Sequence, residues 1–160
     1  MISLRTLHLL AAVLAALLLL GAAGLLFWYF RPGAAHQDRL FVRLAGVTLK
    51  AEVADSPAAQ VRGLSGHAPL ADDEGMVFLF RHASSQRFWM KDMLFPIDII
   101  WIRHGQVVDI TANAPVPSGS GQLPTYAPNG PVDTVLEVKA GFAAAHGVVP
   151  GTMVGLEKME

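Results

Sequence analysis

Residues 9–30 contain no charged side chain, and most of them are leucine, alanine or valine. As a helix rising about 1.5 Å per residue, this run of about 22 residues crosses a hydrocarbon layer about 30 Å thick. Phe27, Trp28, Tyr29 and Phe30 close the run directly before Arg31. An aromatic belt and a charged stop follow a membrane span in that order. The stretch is too long and too uniformly apolar for a helix buried in a small domain. Residues 1–31 are therefore expected to form an N-terminal membrane anchor or signal segment, a transmembrane helix with the membrane as partner through residues 9–30. A cleavable signal peptide is the rival reading, with Arg5 as its basic start and residues 21–24 as its small-residue cleavage zone. A signal's apolar core is shorter, and it does not continue into an aromatic run. Flanking charges barely discriminate orientation, since Arg5 and the α-amine stand against Arg31 and Arg39. The short N-terminal tail favours export of the chain beyond the span, so the globular part is expected on the extracytoplasmic, periplasmic side.

The apolar fraction of the whole chain, 52%, owes its height to this segment. What remains of 160 residues supports one domain. A net charge of -1 offers no basic field to phosphate backbones, which argues against nucleic-acid binding. With no cysteine, disulfides, zinc–thiolate sites and thiol nucleophiles are excluded together.

Residues 32–39 read as a polar linker, and 40–157 as the domain. Leu40, Val42 and Leu44 alternate with Phe41 and Arg43. After Ala45-Gly46, Val47, Leu49, Ala51 and Val53 alternate with Thr48, Lys50 and Glu52. Period-two patterning on both sides of a glycine turn predicts a hairpin with one buried face. Ser56 and Pro57 predict a helix start, and Gly63 and Gly66 keep that helix short. Residues 76–80 form a continuous apolar run, suited to a strand covered on both faces. Strands are also expected at 88–90, 97–102, from 107, at 134–138 and at 153–156, with a turn at His104-Gly105 and a helical piece at 142–146. The expected fold is all-β, a small barrel or sandwich of seven or eight short strands with one or two short helices.

Residues 113–131 hold five of the ten prolines, with several glycines and serines. A structureless loop of this length is a lid, a binding loop or a disordered excursion.

Metal and nucleophile motifs are missing. No His-x-His or His-Glu-x-x-His spacing occurs, and Asp72-Asp73-Glu74 lacks the alternation of a calcium loop and reads as a solvated turn. Gly63-Leu64-Ser65-Gly66 carries His67 where a nucleophile elbow needs glycine. No cofactor motif is found.

The informative stretch is 87–98, Arg-Phe-Trp-Met-Lys-Asp-Met-Leu-Phe-Pro-Ile-Asp. Alternation places Asp98 on the strand face of Ile100 and Ile102, so its carboxylate is expected to be buried. Left bare it would cost several kcal/mol, and Lys91, Arg62 and Arg87 are the cations nearest in sequence. Glu137, among Val135, Leu136 and Val138, poses the same question. Two readings stay open: an internal salt bridge that fixes register, or a polar cluster facing a ligand.

At these residues the chain resembles the DUF192 family. The resemblance rests on Arg62-Gly63-Leu64, on Gly75-Met76 with Phe78 and Phe80, and on Phe88-Trp89-Met90-Lys91 followed by Pro96-Ile97-Asp98. It continues in Val135-Leu136-Glu137 with Gly141, Gly147 and Gly151. It covers about residues 40–157. It implies a small β-rich domain, commonly behind a signal or anchor in bacteria and archaea, and carries no function with it. Two positions depart from the family pattern. Ser65 stands where methionine is usual after Arg-Gly-Leu, and Asp92 where asparagine is usual after the lysine, which places a negative charge beside Lys91. Carried over residue by residue, the family's polar positions are Arg62, Lys91, Asp98 and Glu137. Trp89 and Tyr126 offer a stacking surface, although a core role for Trp89 is the stronger reading.

Three functions are expected from these features. The first is a membrane-tethered extracytoplasmic module that binds a small polar ligand such as a saccharide or a carboxylate. Its contacts would be Arg62, Trp89, Lys91, Asp98, Tyr126 and Glu137, with the 113–131 loop covering the site. The second is an enzyme using Asp98 or Glu137 in acid–base chemistry, with Lys91 tuning the pKa. The third is a structural or interaction domain docked to an envelope protein.

Overall fold

The structure, a computed structural model, describes residues 38–119, 121 and 123–159. The expected anchor at 1–31 lies outside these residues. Among the described residues no helix is long and apolar enough to cross a membrane.

Strands β1 (Arg39–Leu44) and β2 (Val47–Ala54) form an antiparallel hairpin. Its turn, Ala45-Gly46, has φ of 48° and 78° at the two residues. Two left-handed turn residues give the twist that matches the strands they join. Helix α1 (Pro57–Arg62) follows, where the Ser56 Oγ accepts the Ala59 N–H at 3.3 Å and Pro57 occupies the first turn. Its cap residue, Gly63, donates its N–H to the Ala59 carbonyl at 2.8 Å. Gln60 ties this short helix to the sheet, donating to the carbonyls of Ala54 (3.3 Å) and Leu79 (2.9 Å).

Next come β3 (Glu74–Ser84), parallel to β2, and the two-residue β4 (Phe88–Trp89). Strands β5 (Ile97–Arg103) and β6 (Gln106–Ala114) make a second hairpin over His104-Gly105, again with positive φ at both residues. After β7 (Thr125–Tyr126), β8 (Val132–Lys139) inserts between β5 and β3. Helix α2 (Phe142–His146) and β9 (Val154–Lys158) end the chain.

The main sheet has seven strands in the order β6-β5-β8-β3-β2-β1-β9, and β4 pairs with β7 in a separate ribbon. The two ends of the large sheet meet. Gln106 bridges Met153, the Val107 N–H donates to the Thr152 carbonyl at 2.9 Å, and the Val154 N–H donates to the Gly105 carbonyl at 2.8 Å. The described domain is mostly β-sheet with two short helices, a curled sheet partly closed as a barrel rather than two stacked sheets.

Two cores explain why the central strands are apolar without alternation. Val42, Leu49, Val77, Ile100 and Leu136 fill one face with Phe142 of α2. Met76, Phe78, Ile99, Trp101 and Val135 fill the other, covered by Leu64 after α1 and by Met90 and Met93. Strands buried on both sides have no polar face to show.

The structure departs from the sequence expectations at the edges of elements and in one loop. There are nine strands among the described residues, β3 runs on to Ser84, and β9 is Val154–Lys158. The stretch 113–131 is not structureless, because Thr125 and Tyr126 pair with Trp89 and Phe88. Asp72 and Asp73 sit in the expected exposed turn, in ion pairs with Lys139 (2.7 Å) and Lys50 (2.9 Å). The Lys50 ammonium, by its hydrogen bond and then its charge, holds the Asp73 carboxyl below its ordinary range.

Candidate functional site

The site begins with strand register. Glu137 on β8 pairs with Ile99 on β5 and Met76 on β3, so its side chain enters the second core, beside Phe78 and Trp101. That core is where α1 and the β4 segment cover the sheet, and between those covers lies a cleft of about 300 Å³. Arg62, Gly63 and Ser65 line it from the end of α1 onward, Phe78 and Phe80 from β3, Arg87, Phe88 and Trp89 from around β4, and Glu137 from β8.

Glu137 is 4% exposed, and its Oε2 has no hydrogen-bond partner among the described residues. Burial alone pushes its carboxyl up to about 8. Taking a carboxylate out of water without a counter-charge disfavours the ionised form, so at neutral pH the group is a carboxylic acid with a proton to donate. Above it, Gly63 has φ of 49°, and a Cβ there would meet the Phe78 ring at 3.3 Å and the Glu137 Oε2 at 3.9 Å. The missing side chain leaves the acid within reach of the cleft.

An aromatic ladder forms the wall. Phe88 stands edge-on to Phe78 (4.8 Å between ring centroids) and to Trp101 (5.4 Å). Trp101, fully buried, donates its indole N–H to the Thr111 hydroxyl at 3.0 Å. Trp89 is 49% exposed at the rim. The sequence expectation of a core role for Trp89 is thus corrected: Trp101 is the core tryptophan.

Of the six residues picked from the sequence, the cleft brings together Arg62, Trp89 and Glu137. Tyr126 is half-buried on β7, where it pairs with Phe88 and packs on the second core, and it does not line the cleft. Lys91 lies in an exposed turn whose carbonyl accepts the Ser65 hydroxyl at 2.8 Å, while the Asp92 carbonyl accepts the Gly66 N–H at 2.9 Å. That turn thereby brackets the segment after α1, and both positions that depart from the family pattern sit in this bracket.

Asp98 is the clearest correction. It pairs with Val138, one register step from Glu137, and faces the first core on the other side of the sheet. It is fully buried, yet among the described residues no lysine or arginine serves it. Its Oδ1 accepts the N–H groups of Asn113 (2.8 Å) and Gly141 (3.1 Å), and its Oδ2 accepts that of Ala143 (2.9 Å). Neither the salt bridge nor the ligand-facing cluster describes it; the carboxylate ties β6 and the start of α2 to β5. The 113–131 loop is corrected as well, since none of its described residues lines the cleft.

Sequence reasoning passed over Gly63, Phe78, Phe80 and Phe88 as cleft-forming residues. The signal for Gly63 was present, a glycine closing a short helix next to a candidate arginine. The phenylalanines were part of the family resemblance, but nothing in the sequence marked which face of β3 opens or that the two-residue β4 walls a cleft. Among the described residues no group of three or more histidine, aspartate or glutamate side chains is placed to hold a metal ion.

Two solved structures are similar to this chain at about one-third identity. A protein of unknown function from Novosphingobium aromaticivorans DSM 12444 is 32% identical with a TM-score of 0.66, over 78% of this chain and 89% of that one. A protein proposed to be a transcription regulator, from Sinorhizobium meliloti 1021, is 31% identical with a TM-score of 0.68, over 78% of this chain and 98% of that one. No functionally curated protein matches the sequence. The model of the DUF192 family, described as an uncharacterized ACR, matches residues 40–156, and over this span, which includes every residue of the cleft, the chain belongs to that family.

Proposed function

We propose that the globular part binds a small polar ligand in the cleft above Glu137, and that residues 9–30 tether it to a membrane with this domain on the extracytoplasmic side. The observation that carries the binding reading is the Glu137 Oε2, buried and unpartnered among the described residues at the floor of an accessible cleft. A buried polar atom left unsatisfied costs about 1–3 kcal/mol, and a ligand atom placed there recovers it. The volume, about 300 Å³, sits at the small end of ligand pockets, and the mixture of apolar walls with a few polar groups is the usual lining of such sites.

One observation favours a second reading, an enzyme. A carboxyl held near 8 suits a general acid at neutral pH. Against it, Glu137 is the one carboxyl among the described residues of the lining, and Ser65 already spends its hydroxyl on the Lys91 carbonyl. No second acid or nucleophile among them completes a reaction centre. The regulator description of the Sinorhizobium relative adds no nucleic-acid reading to this chain, whose net charge of -1 gives no attraction to phosphates.

The test is an NMR titration of the full chain in detergent with glucose, glucuronate and acetate at millimolar concentration. Shifts confined to the Trp89 indole and the rings of Phe78, Phe80 and Phe88 support the reading. A panel that leaves all four unmoved overturns it. Resistance of the chain to alkaline extraction from membranes, with protease access from the periplasmic side, tests the tether.

A further inference from the structure

We infer that the ligand class of this cleft is a small monocarboxylate with a flat apolar body, its carboxylate hydrogen-bonded to the Glu137 carboxyl and its body lying along Phe88 and Trp89. The inference rests on the binding reading above and gives it a chemistry.

Three independent features converge on that class. The first is the floor. The Glu137 Oε2 is buried at the cleft floor and has no partner among the described residues, so a ligand atom that reaches it must complement a carboxyl. A carboxylate does so with a single shared proton, in a short charge-assisted O–H···O hydrogen bond. A primary ammonium can only donate, so it would leave the carboxyl proton without an acceptor.

Charge is the second feature and separates these two. The lining contains two guanidinium groups, Arg62 and Arg87, and no ionised acid while Glu137 keeps its proton. The elements packed against Glu137 contribute Met76 from β3 and Ile99 from β5 at its register positions, neither titratable. From α1 and the β4 segment the charged groups are these two arginines. The permanently ionised groups of the lining are thus both cationic, which favours an anion over an amine in the cleft.

Shape is the third. The walls between floor and mouth are Leu64, Phe78, Phe80, Phe88 and Met93, and the exposed face of Trp89 stands at the rim. Such walls suit a planar hydrocarbon body. A cleft of about 300 Å³ takes a compact molecule of this kind and excludes a polymer.

A proton inventory gives the class its signature. The complex holds one proton between two carboxyl groups. Once that proton leaves, two like charges face each other in a poorly solvated place, and affinity falls roughly tenfold per pH unit above the point where free Glu137 ionises.

The experiment is a matched series, benzoate, benzamide and benzylamine, titrated into the full chain at pH 6.5 and pH 9 with the Trp89 and Phe88 resonances as readout. The expected result is benzoate binding at least tenfold tighter than either neutral or cationic analogue at pH 6.5, and roughly tenfold weaker benzoate binding at pH 9. Glu137→Gln, which keeps a donor but cannot ionise, is expected to bind benzoate equally at both pH values. Benzamide or benzylamine binding as tightly as benzoate at the same resonances overturns the carboxylate class and leaves the cleft reading standing. Benzoate affinity unchanged with pH in the wild type removes Glu137 from recognition. Silence from all three probes overturns the class of flat apolar carboxylates and leaves the cleft reading to the titration with glucose, glucuronate and acetate.

Discussion

Asp98 and Glu137 lie one register step apart on neighbouring strands and face opposite sides of the same sheet. The alternation of a strand makes this unavoidable, since adjacent positions on one face are two residues apart. The two buried carboxyls therefore meet different surroundings. Asp98 receives three backbone N–H groups, and Glu137 receives none at its Oε2 from the described residues. One is a structural tie satisfied by its donors; the other is held neutral under an accessible cleft.

Replacing Asp98 should damage the fold and spare the cleft. Asp98→Ala strands the buried N–H of Ala143 and the part-buried N–H groups of Asn113 and Gly141, and unfolding in urea is expected to show a loss of about 2–4 kcal/mol. Asp98→Asn keeps acceptor capacity on one oxygen and should lose about half as much. In both variants the Trp89 indole resonance should stay where it is, because Trp89 is on the other face.

Stability should depend on pH through Glu137, with a definite sign. The folded-state value is about 8 against an ordinary 4.5, so between those limits the folded chain holds a proton that the unfolded chain has released. Its stabilising contribution is therefore full below pH 4.5, falls as pH rises toward 8, and is level above that. The slope is at most about 1.4 kcal/mol per pH unit. Denaturation curves across this range should show the decline in the wild type, and Glu137→Gln, which cannot ionise, should remove it.

The tryptophans of the described domain should separate cleanly. Trp101→Ala empties the centre of the second core and leaves Thr111 without its donor, an expected cost of about 3–5 kcal/mol. Trp89→Ala, at a half-exposed rim, should cost less than about 1 kcal/mol in the same unfolding assay. Equal losses would contradict the placement of the two side chains.

Gly63 is predicted to be intolerant in two ways. Gly63→Ala forces a positive φ on an L side chain and presses a Cβ to 3.3 Å from the Phe78 ring, an expected loss of about 1–3 kcal/mol. The same methyl narrows the approach to Glu137. Thermal unfolding gives the first effect, and a weakened resonance response to benzoate gives the second.

Much of the frame was legible because its causes are local. Ala45-Gly46 and His104-Gly105 marked hairpin turns that positive φ requires, Ser56 marked a cap, and the uninterrupted apolar runs marked strands covered on both faces. Asp98 shows where local reasoning stops. Its burial was readable from alternation, but its partners were sought among cations nearby in sequence. The actual donors are backbone N–H groups 15, 43 and 45 residues away, and backbone donors leave no trace in residue identity. The ribbon of β4 and β7 escaped for a similar reason, since two residues are too few to show a period and proline-rich surroundings read as loop. Glu137 was visible as an acid among apolar neighbours. Which side of the sheet it served depended on register with β5 and β3, a property of the assembled sheet.

The central claim is that Glu137 is a neutral acid at the floor of an accessible cleft, and its own titration tests this most directly. Carbon-detected NMR of the Glu137 side-chain carboxyl, followed from pH 3 to pH 10 in the folded chain, should give a midpoint near 8. A midpoint at or below the ordinary 4.5 would show a solvated or ion-paired carboxylate, and the neutral acid beneath this cleft would be contradicted.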